Sequence, residues 1–430
     1  MSNRRFEHVK PVQKMEIQYL REEFRDDESE VKVDLICGVY RTEENEPWVL
    51  PVVRRVEKEM ADDVTLDHEY LWFLGLDEFS QAATKLILGP QSSLLHQDRV
   101  VSIQTLSGTG AVRTGAELLA RTLGYDTVYI SVQSWGTGAL RIGAQFLSKE
   151  MGYDTFYLSS PSWGDHEIVF RMAGFTTVLN YRYWSDVTKS LDITGLLEDL
   201  SKAHPSTDFK YFNLSWRAAQ NLLGGRKRPA SLERNLFPFF DTPYQGFASG
   251  DLDEDMWPVR YFAEVRGTRN HNERVGALTV VLNDSLDVET VRTRLQVIVR
   301  GTYCSPPAHG AVIALRILSD PANFQEWKSY VRVMAKRIID VRQRFRAALE
   351  EINTPGSWEH ITSQTGMFSL TGLSRDQVRY LKEKHHVYLM SSGRYNMCAL
   401  NDSNIHYVAS AVKDAFLSVH AEDGCIKNGV

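Results

Sequence analysis

The chain has 430 residues, enough for more than one domain, and its 43% hydrophobic and 24% charged content is that of an ordinary soluble globular protein. A net charge of −6 with interspersed signs excludes the one-signed basic field of a nucleic-acid binder, and the run "GRKRP" (225–229) is too short to make one. No apolar run approaches the roughly 20 residues of a membrane span, and no membrane partner is expected. The four cysteines lie far apart with no CxxC pattern, which points to reduced thiols in a cytoplasmic protein and not to zinc.

The first thirty residues turn acidic after two arginines and lack an apolar core, which argues against a signal or transit peptide. Short apolar runs then alternate with amphipathic ones. Residues 99–105 predict a buried strand, 110–123 a helix, 127–131 a strand and 192–203 a helix. Further strands are expected at 209–215, 237–241 and 274–283. Such alternation predicts an α/β fold with a mainly parallel sheet covered by helices. From about residue 322 the pattern changes. Helical periodicity runs through 323–352, followed by "GMFSLTG", "VYLMSSGRYNMCAL" and a last helix near 404–420. This α+β tail places a domain boundary near 325–330.

"GTGAVRTGAELLARTLGYDTVYIS" (108–131) recurs without a gap as "GTGALRIGAQFLSKEMGYDTFYLS" (136–159), more than half of it identical. Ser134, Trp135 and Gly136 follow the first copy, as Ser162, Trp163 and Gly164 follow the second. One extra copy is too few for a solenoid. It adds a strand to the architecture or loops out.

Several segments carry chemistry. "SGTG" (107–110) follows a strand and opens a helix, where backbone N–H groups and two hydroxyls can cradle a phosphate or simply cap the helix. "FPFFDTPYQGFASG" (237–250) ends four apolar residues on Asp241, with Tyr244 three residues on; a carboxylate at the C-terminal edge of a parallel sheet faces the usual ligand crevice or sits in a structural turn. Arg300 precedes paired prolines in "VRGTYCSPPAHG" (299–310), and "SSGRYN" (391–396) puts Arg394 in a turn. Arginine grips carboxylates bidentately, although a loop arginine is usually just solvated.

Together with "GVYRTEENEPWVLPVV" (38–53), "HEYLWFLGLDEF" (68–79), "SPSWGDHE" (160–167), "NERVG" (272–276) and "SPPAHGA" (305–311), these stretches run in order along nearly the whole chain. The chain resembles the aspartate aminotransferases, fold-type I pyridoxal-phosphate enzymes, most closely their animal cytosolic form. The resemblance implies a large cofactor domain over 49–329, a small α+β domain from 1–48 and 330–430, and a homodimer. It implies aspartate, glutamate, oxaloacetate and 2-oxoglutarate as substrates. It also assigns roles. Ser107, Gly108 and Thr109 hold the cofactor phosphate, with Gly136 and Thr137 of the second copy as competitors, and Arg274 reaches it too. Trp163, favoured over Trp135, stacks on the pyridine ring with His166 behind it. Asp241 pairs with the ring nitrogen, while Tyr244 and Asn221 bond its 3-oxygen. Gly38 lies in a mobile substrate loop, and Arg394 binds the α-carboxylate. Tyr70 and Arg300 act across the dimer interface, on the phosphate and on the substrate's side-chain carboxylate.

One motif departs from the family. Its Schiff-base lysine, in S-x-x-K, stands eight residues before the "NERVG" arginine, where this chain has Arg266, with Ala263 at the serine position. The strand that should precede them is missing. Upstream, the family's N-P-T-G reads "NLLGG" from Asn221, as a single-base deletion can produce. A guanidinium stays protonated and has no lone pair for proton transfer. Three readings follow: an aspartate aminotransferase whose sequence carries lost and doubled segments; a catalytically dead paralogue serving as a dimer partner; or a protein binding pyridoxal phosphate non-covalently.

Overall fold

The computed structural model describes residues 14–106, 129–132, 155–160, 167, 171, 176–202, 239–241, 244–257, 260, 275–282 and 284–426. They fall into two compact units, one within Met1–Trp48 and Arg337–Val430, the other within Val49–Lys336. The expected helix 110–123 and strand 209–215 lie outside the described residues.

In chain order the strands are β1 (Val33–Asp34), β2 (Val100–Leu106), β3 (Tyr129–Val132), β4 (Thr155–Ser160), β5 (Thr177–Arg182), β6 (Trp184–Ser185), β7 (Ser190–Leu191), β8 (Phe239–Asp241), β9 (Val275–Val281), β10 (Phe368–Leu370), β11 (Val387–Tyr388) and β12 (Arg394–Asn396). In the larger unit four of them form a sheet in the order β2-β9-β3-β8. β9 runs antiparallel to both neighbours, and β3 pairs in parallel with β8. Three strands therefore point one way and one is reversed. β4 pairs in parallel with β5 in a separate sheet. The two repeat copies thus give their strands to different sheets, β3 from the first and β4 from the second.

β9, "VGALTVV", is buried along its whole length. A strand apolar on both faces belongs in the middle of a covered sheet. On one face Phe79 and Ala83 of the Asp77–Leu88 helix and Ala311 of the Ala308–Ser319 helix pack against Val275 and Ala277. Ile87, Leu88 and Leu94 close over Val281. The Pro51–Asp62 helix starts on a proline whose fixed φ suits the first turn, and its Val52, Val56 and Met60 rest on Ile313 and Ile317.

In the smaller unit β1 pairs with β11 in parallel and β10 with β12 antiparallel. The 323–352 periodicity is the Pro321–Glu351 helix, within which the two units divide. From this helix the buried Arg342 donates to the carbonyls of Ile361 (2.7 Å), Gly366 (2.8 Å) and Phe368 (2.6 Å) and to Ser369 Oγ (3.1 Å). Those bonds satisfy buried and half-buried acceptors along and around β10. The Arg375–His385 helix opens with a reciprocal Ser374–Gln377 capping box and closes on His386 in the left-handed region.

Candidate active site

Three of the expected cofactor contacts stand in the sequence at or next to strand ends on one edge of the sheet. β2 ends on Leu106, the residue before Ser107, and β9 begins on Val275, the residue after Arg274. Leu106 and Val275 are partners across the two strands. The segments proposed to hold a phosphate therefore leave β2 and enter β9 side by side. β8 points the same way as β2 and ends on Asp241, abreast of Val132 in β3. Asp241 is described by its backbone alone. Ser107, Gly108, Thr109, Gly136, Thr137, Trp135, Trp163, His166, Asn221, Ala263, Arg266 and Arg274 lie outside the described residues.

Past Asp241 the chain makes a tight loop carrying Tyr244, whose half-buried ring stands edge-on to Phe247 at 6.0 Å. Asp255 organises this loop. Its buried carboxylate accepts the N–H groups of Gly246 (2.6 Å), Ala248 (3.1 Å) and Ser249 (3.1 Å). Burial pushes its pKa above the usual carboxylate range, and these bonds oppose the shift. Gly246 has φ +84°, and a Cβ there would lie 2.5 Å from Val331, so glycine is required.

Arg300 sits in the last turn of the Val288–Thr302 helix, not in the loop its downstream prolines suggest. Cys304 ends the helix in the left-handed region (φ 69°) and returns its N–H to Val299 O, a stop that no glycine announces. The Arg300 side chain donates to Cys304 Sγ, and its guanidinium lies 5.0 Å from the Phe73 ring centroid. That contact sets it beside the stretch carrying Tyr70. Gln104 of β2 anchors the end of this stretch. Its backbone N–H donates to Leu74 O, its Oε1 accepts from Leu76 N and its Nε2 donates to Pro307 O. Tyr70 (82% exposed) and Trp72 (84%) project into solvent from the single chain.

In the smaller unit Arg394 is the first residue of β12, directly after a Met390–Gly393 turn, so it lies at a strand end and not within the turn. Its guanidinium stacks over Phe368 at 4.6 Å. Gly38 is buried in a three-residue turn closed by Val39 N–H to Cys37 O at 3.0 Å. Burial raises the pKa of the neighbouring Cys37 thiol, and the charge of Arg394 is among those that oppose the rise. Asn396 and Asp255 had no place among the expected site residues. Their partners are backbone groups, and no residue pattern advertises such contacts.

The model of the aminotransferase class I and II family matches residues 30–137, 132–212 and 230–412. The chain belongs to the class I and II aminotransferases. The first two matched segments overlap where the repeat copies join. Chicken cytoplasmic aspartate aminotransferase is 42% identical over 93% of this chain and 95% of its own length, and the cytoplasmic enzyme of Caenorhabditis elegans is 37% identical over 96% and 98%. The aspartate aminotransferase of Saccharomyces cerevisiae cytoplasm superposes with a TM-score of 0.82 at 32% identity, covering 96% of this chain and 98% of that one. An aromatic-amino-acid aminotransferase from Burkholderia pseudomallei, covalently bound to pyridoxal phosphate, gives 0.82 at 28% identity over 97% and 100%. The fold is that of the fold-type I pyridoxal-phosphate aminotransferases, and the family relationship is to the aspartate aminotransferases. Among the described residues no helix is long and apolar enough to cross a membrane.

Proposed function

We propose that this chain is a lysine-less aspartate aminotransferase homologue, a cytoplasmic homodimer that holds pyridoxal phosphate non-covalently and binds dicarboxylic amino and oxo acids, with transamination impaired. The observation that carries this reading is Arg266 at the family's lysine position, counted from Arg274 at the mouth of β9. The arrangement of the strand ends supports a cofactor site there. Sheet pairing sets Leu106, just before Ser107, opposite Val275, just after Arg274, and Asp241 ends a strand at that same edge. When bound, pyridoxal phosphate supplies an electron sink for chemistry at the α-carbon of an amino acid.

The chain's own residues would share the remaining work. Ser107, Gly108 and Thr109, with Arg274, take the phosphate, and Trp163 lies on the ring. The Asp241 carboxylate keeps the ring nitrogen protonated. Tyr244 and Asn221 donate to the 3-oxygen. Arg394 takes the α-carboxylate and Arg300 the side-chain carboxylate. No group then holds the proton that leaves the α-carbon, because the Arg266 guanidinium never gives up its own. Loss of that acid–base group alone lowers the rate by about 10²–10⁴.

A second reading, a dead subunit completing the site of a lysine-bearing partner, is favoured by one feature. Of the two residues expected to act in trans, Arg300 lies over Phe73, three residues after Tyr70, and exposed Trp72 lies between Tyr70 and Phe73 in the chain. It requires co-purification with an active aminotransferase.

The deciding measurement is a visible spectrum of the purified protein with pyridoxal phosphate, followed by borohydride and intact mass. The expected outcome is a cofactor band that dialyses away and no mass increase after reduction. A borohydride-fixed adduct within the site, or aspartate–oxaloacetate interconversion at rates typical of relatives, overturns the proposal.

A further inference from the structure

The smaller unit contains a polar link that the roles assigned so far leave unused. Asn396 is fully buried at the end of β12, two residues after Arg394. Its side-chain Nδ2 donates to Cys37 O at 2.6 Å and to Val39 O at 2.8 Å, the carbonyls on either side of Gly38. Its Oδ1 accepts from Cys398 N at 2.9 Å, and its backbone N–H donates to Leu35 O at 2.9 Å. Both hydrogens of one amide thus bracket a single glycine, while the backbone of the same residue continues the strand that bears Arg394. A buried primary amide with every bond made has one low-energy position.

We infer that Asn396 is a positioning residue that locks the Gly38 turn to the Arg394 strand, so that turn and guanidinium meet a carboxylate ligand as one rigid piece. Three features agree. The Cys37–Gly38–Val39 turn has a backbone bond of its own, which the amide grips from outside. β1 is tied to β11 just upstream by Val33 N–H to His386 O and Leu35 N–H to Tyr388 O, so the segment reaches the turn already fixed. At the other end Gly393 (φ +78°) is pressed against Thr371, where a Cβ would come within 2.7 Å of Oγ1, and this fixes the approach to Arg394. No other single side chain described here spans the two segments by both of its amide hydrogens. The ligand rests on the substrate reading above, whereas the mechanical coupling rests on this geometry alone.

The test uses the full-length protein and two variants. Asn396→Asp keeps the shape but replaces two donors with a carboxylate facing two carbonyls, and Asn396→Ser keeps one donor if the first fails to fold. Amide hydrogen exchange at Val39 reports the turn without any ligand, and calorimetric titration with succinate, a C4 dicarboxylate, reports the binding half. With about 1 kcal/mol for each bond lost, turn exchange rises about tenfold or more and succinate binds about tenfold more weakly in Asn396→Asp. Arg394→Lys weakens succinate too, and the double variant is no weaker than Arg394→Lys alone, because Asn396 acts through that strand. A purely structural role lowers the melting temperature and leaves succinate affinity where it was. Unchanged turn exchange, or losses that add in the double variant, overturn the inference. If the parent protein binds no succinate, the substrate reading falls, and turn exchange by itself decides the coupling.

Discussion

Arg394 and Asp241 each stand at the end of a three-residue strand, yet the two strands are held in different ways. β12 is paired to β10, which Arg342 braces through two hydrogen bonds, with two more to Ile361 and Gly366 just before it, and Asn396 ties β12 to the Gly38 turn. Everything that supports Arg394 comes from single-copy sequence in one compact unit. β8 pairs instead with β3, a strand of the first repeat copy, which also separates β8 from β9. These two strands follow each other in the described chain, and Arg266 lies in the sequence between them. The unit that carries Arg394 is thus built on strand pairs of its own. In the larger unit β8 and β9 both pair with a strand of the duplicated segment.

Removing residues 108–135, one repeat unit, breaks that comparison most directly. A single copy cannot pair with β8 and β9 and also with β5. If β3 is needed, β9 loses one of its two neighbours, and each buried backbone group left unpaired costs about 1–3 kcal/mol. Over the four paired residues the larger unit should lose more than about 5 kcal/mol, an effect that denaturant unfolding followed by tryptophan fluorescence would register as loss of the cooperative transition. An unchanged or higher midpoint would mean that the extra copy is dispensable, and the two halves would then be equally self-sufficient.

Arg342→Ala sharpens the comparison from the other side. It strips the carbonyls of Ile361, Gly366 and Phe368 of their donor inside a packed unit and leaves a cavity. The expected loss is about 3 kcal/mol, read from the urea midpoint at unchanged m-value. Succinate affinity should fall with it, since β10 is the partner strand of Arg394. A shift below about 0.5 kcal/mol would show that the brace contributes nothing.

How much of this is legible in the residues follows from the kind of contact involved. The β9 run can be read because it is a short continuous apolar stretch, and the Pro321–Glu351 helix because burial of one face imposes a period on its side chains. The strand ending on Asp241 can be read because four apolar residues stop at a carboxylate. The helix under Arg300 escapes because its stop is a left-handed cysteine instead of a glycine, and the prolines downstream mimic a loop. Asn396 escapes for another reason. Its partners are main-chain carbonyls 359 and 357 positions away, which carry no residue identity at all. The place of β3 in the sheet escapes as well, since more than half of the positions in the two copies are identical and only pairing tells which copy enters which sheet.

The smallest expected effect concerns the anchoring of the N-terminal segment to the frame that holds Arg394. Asp27 follows the Glu16–Asp26 helix and accepts from Ser29 N–H (2.9 Å), the Tyr388 hydroxyl (2.8 Å) and the His386 ring (2.7 Å). The Ser29 bond above all, then those of Tyr388 and His386, holds its pKa down to about 2. A carboxylate depressed on folding binds protons more readily when unfolded. Its contribution is therefore complete above its unfolded pKa, near 4, and disappears as pH falls through about 2. In Asp27→Asn the smaller unit should be less stable at neutral pH, and its acid arm between roughly pH 4 and 2 should be flatter than the parent's. Circular dichroism melts at stepped pH give both slopes. Parallel acid arms would assign the proton uptake to other carboxylates and detach Asp27 from the frame that positions β11 and, through β1, the Gly38 turn.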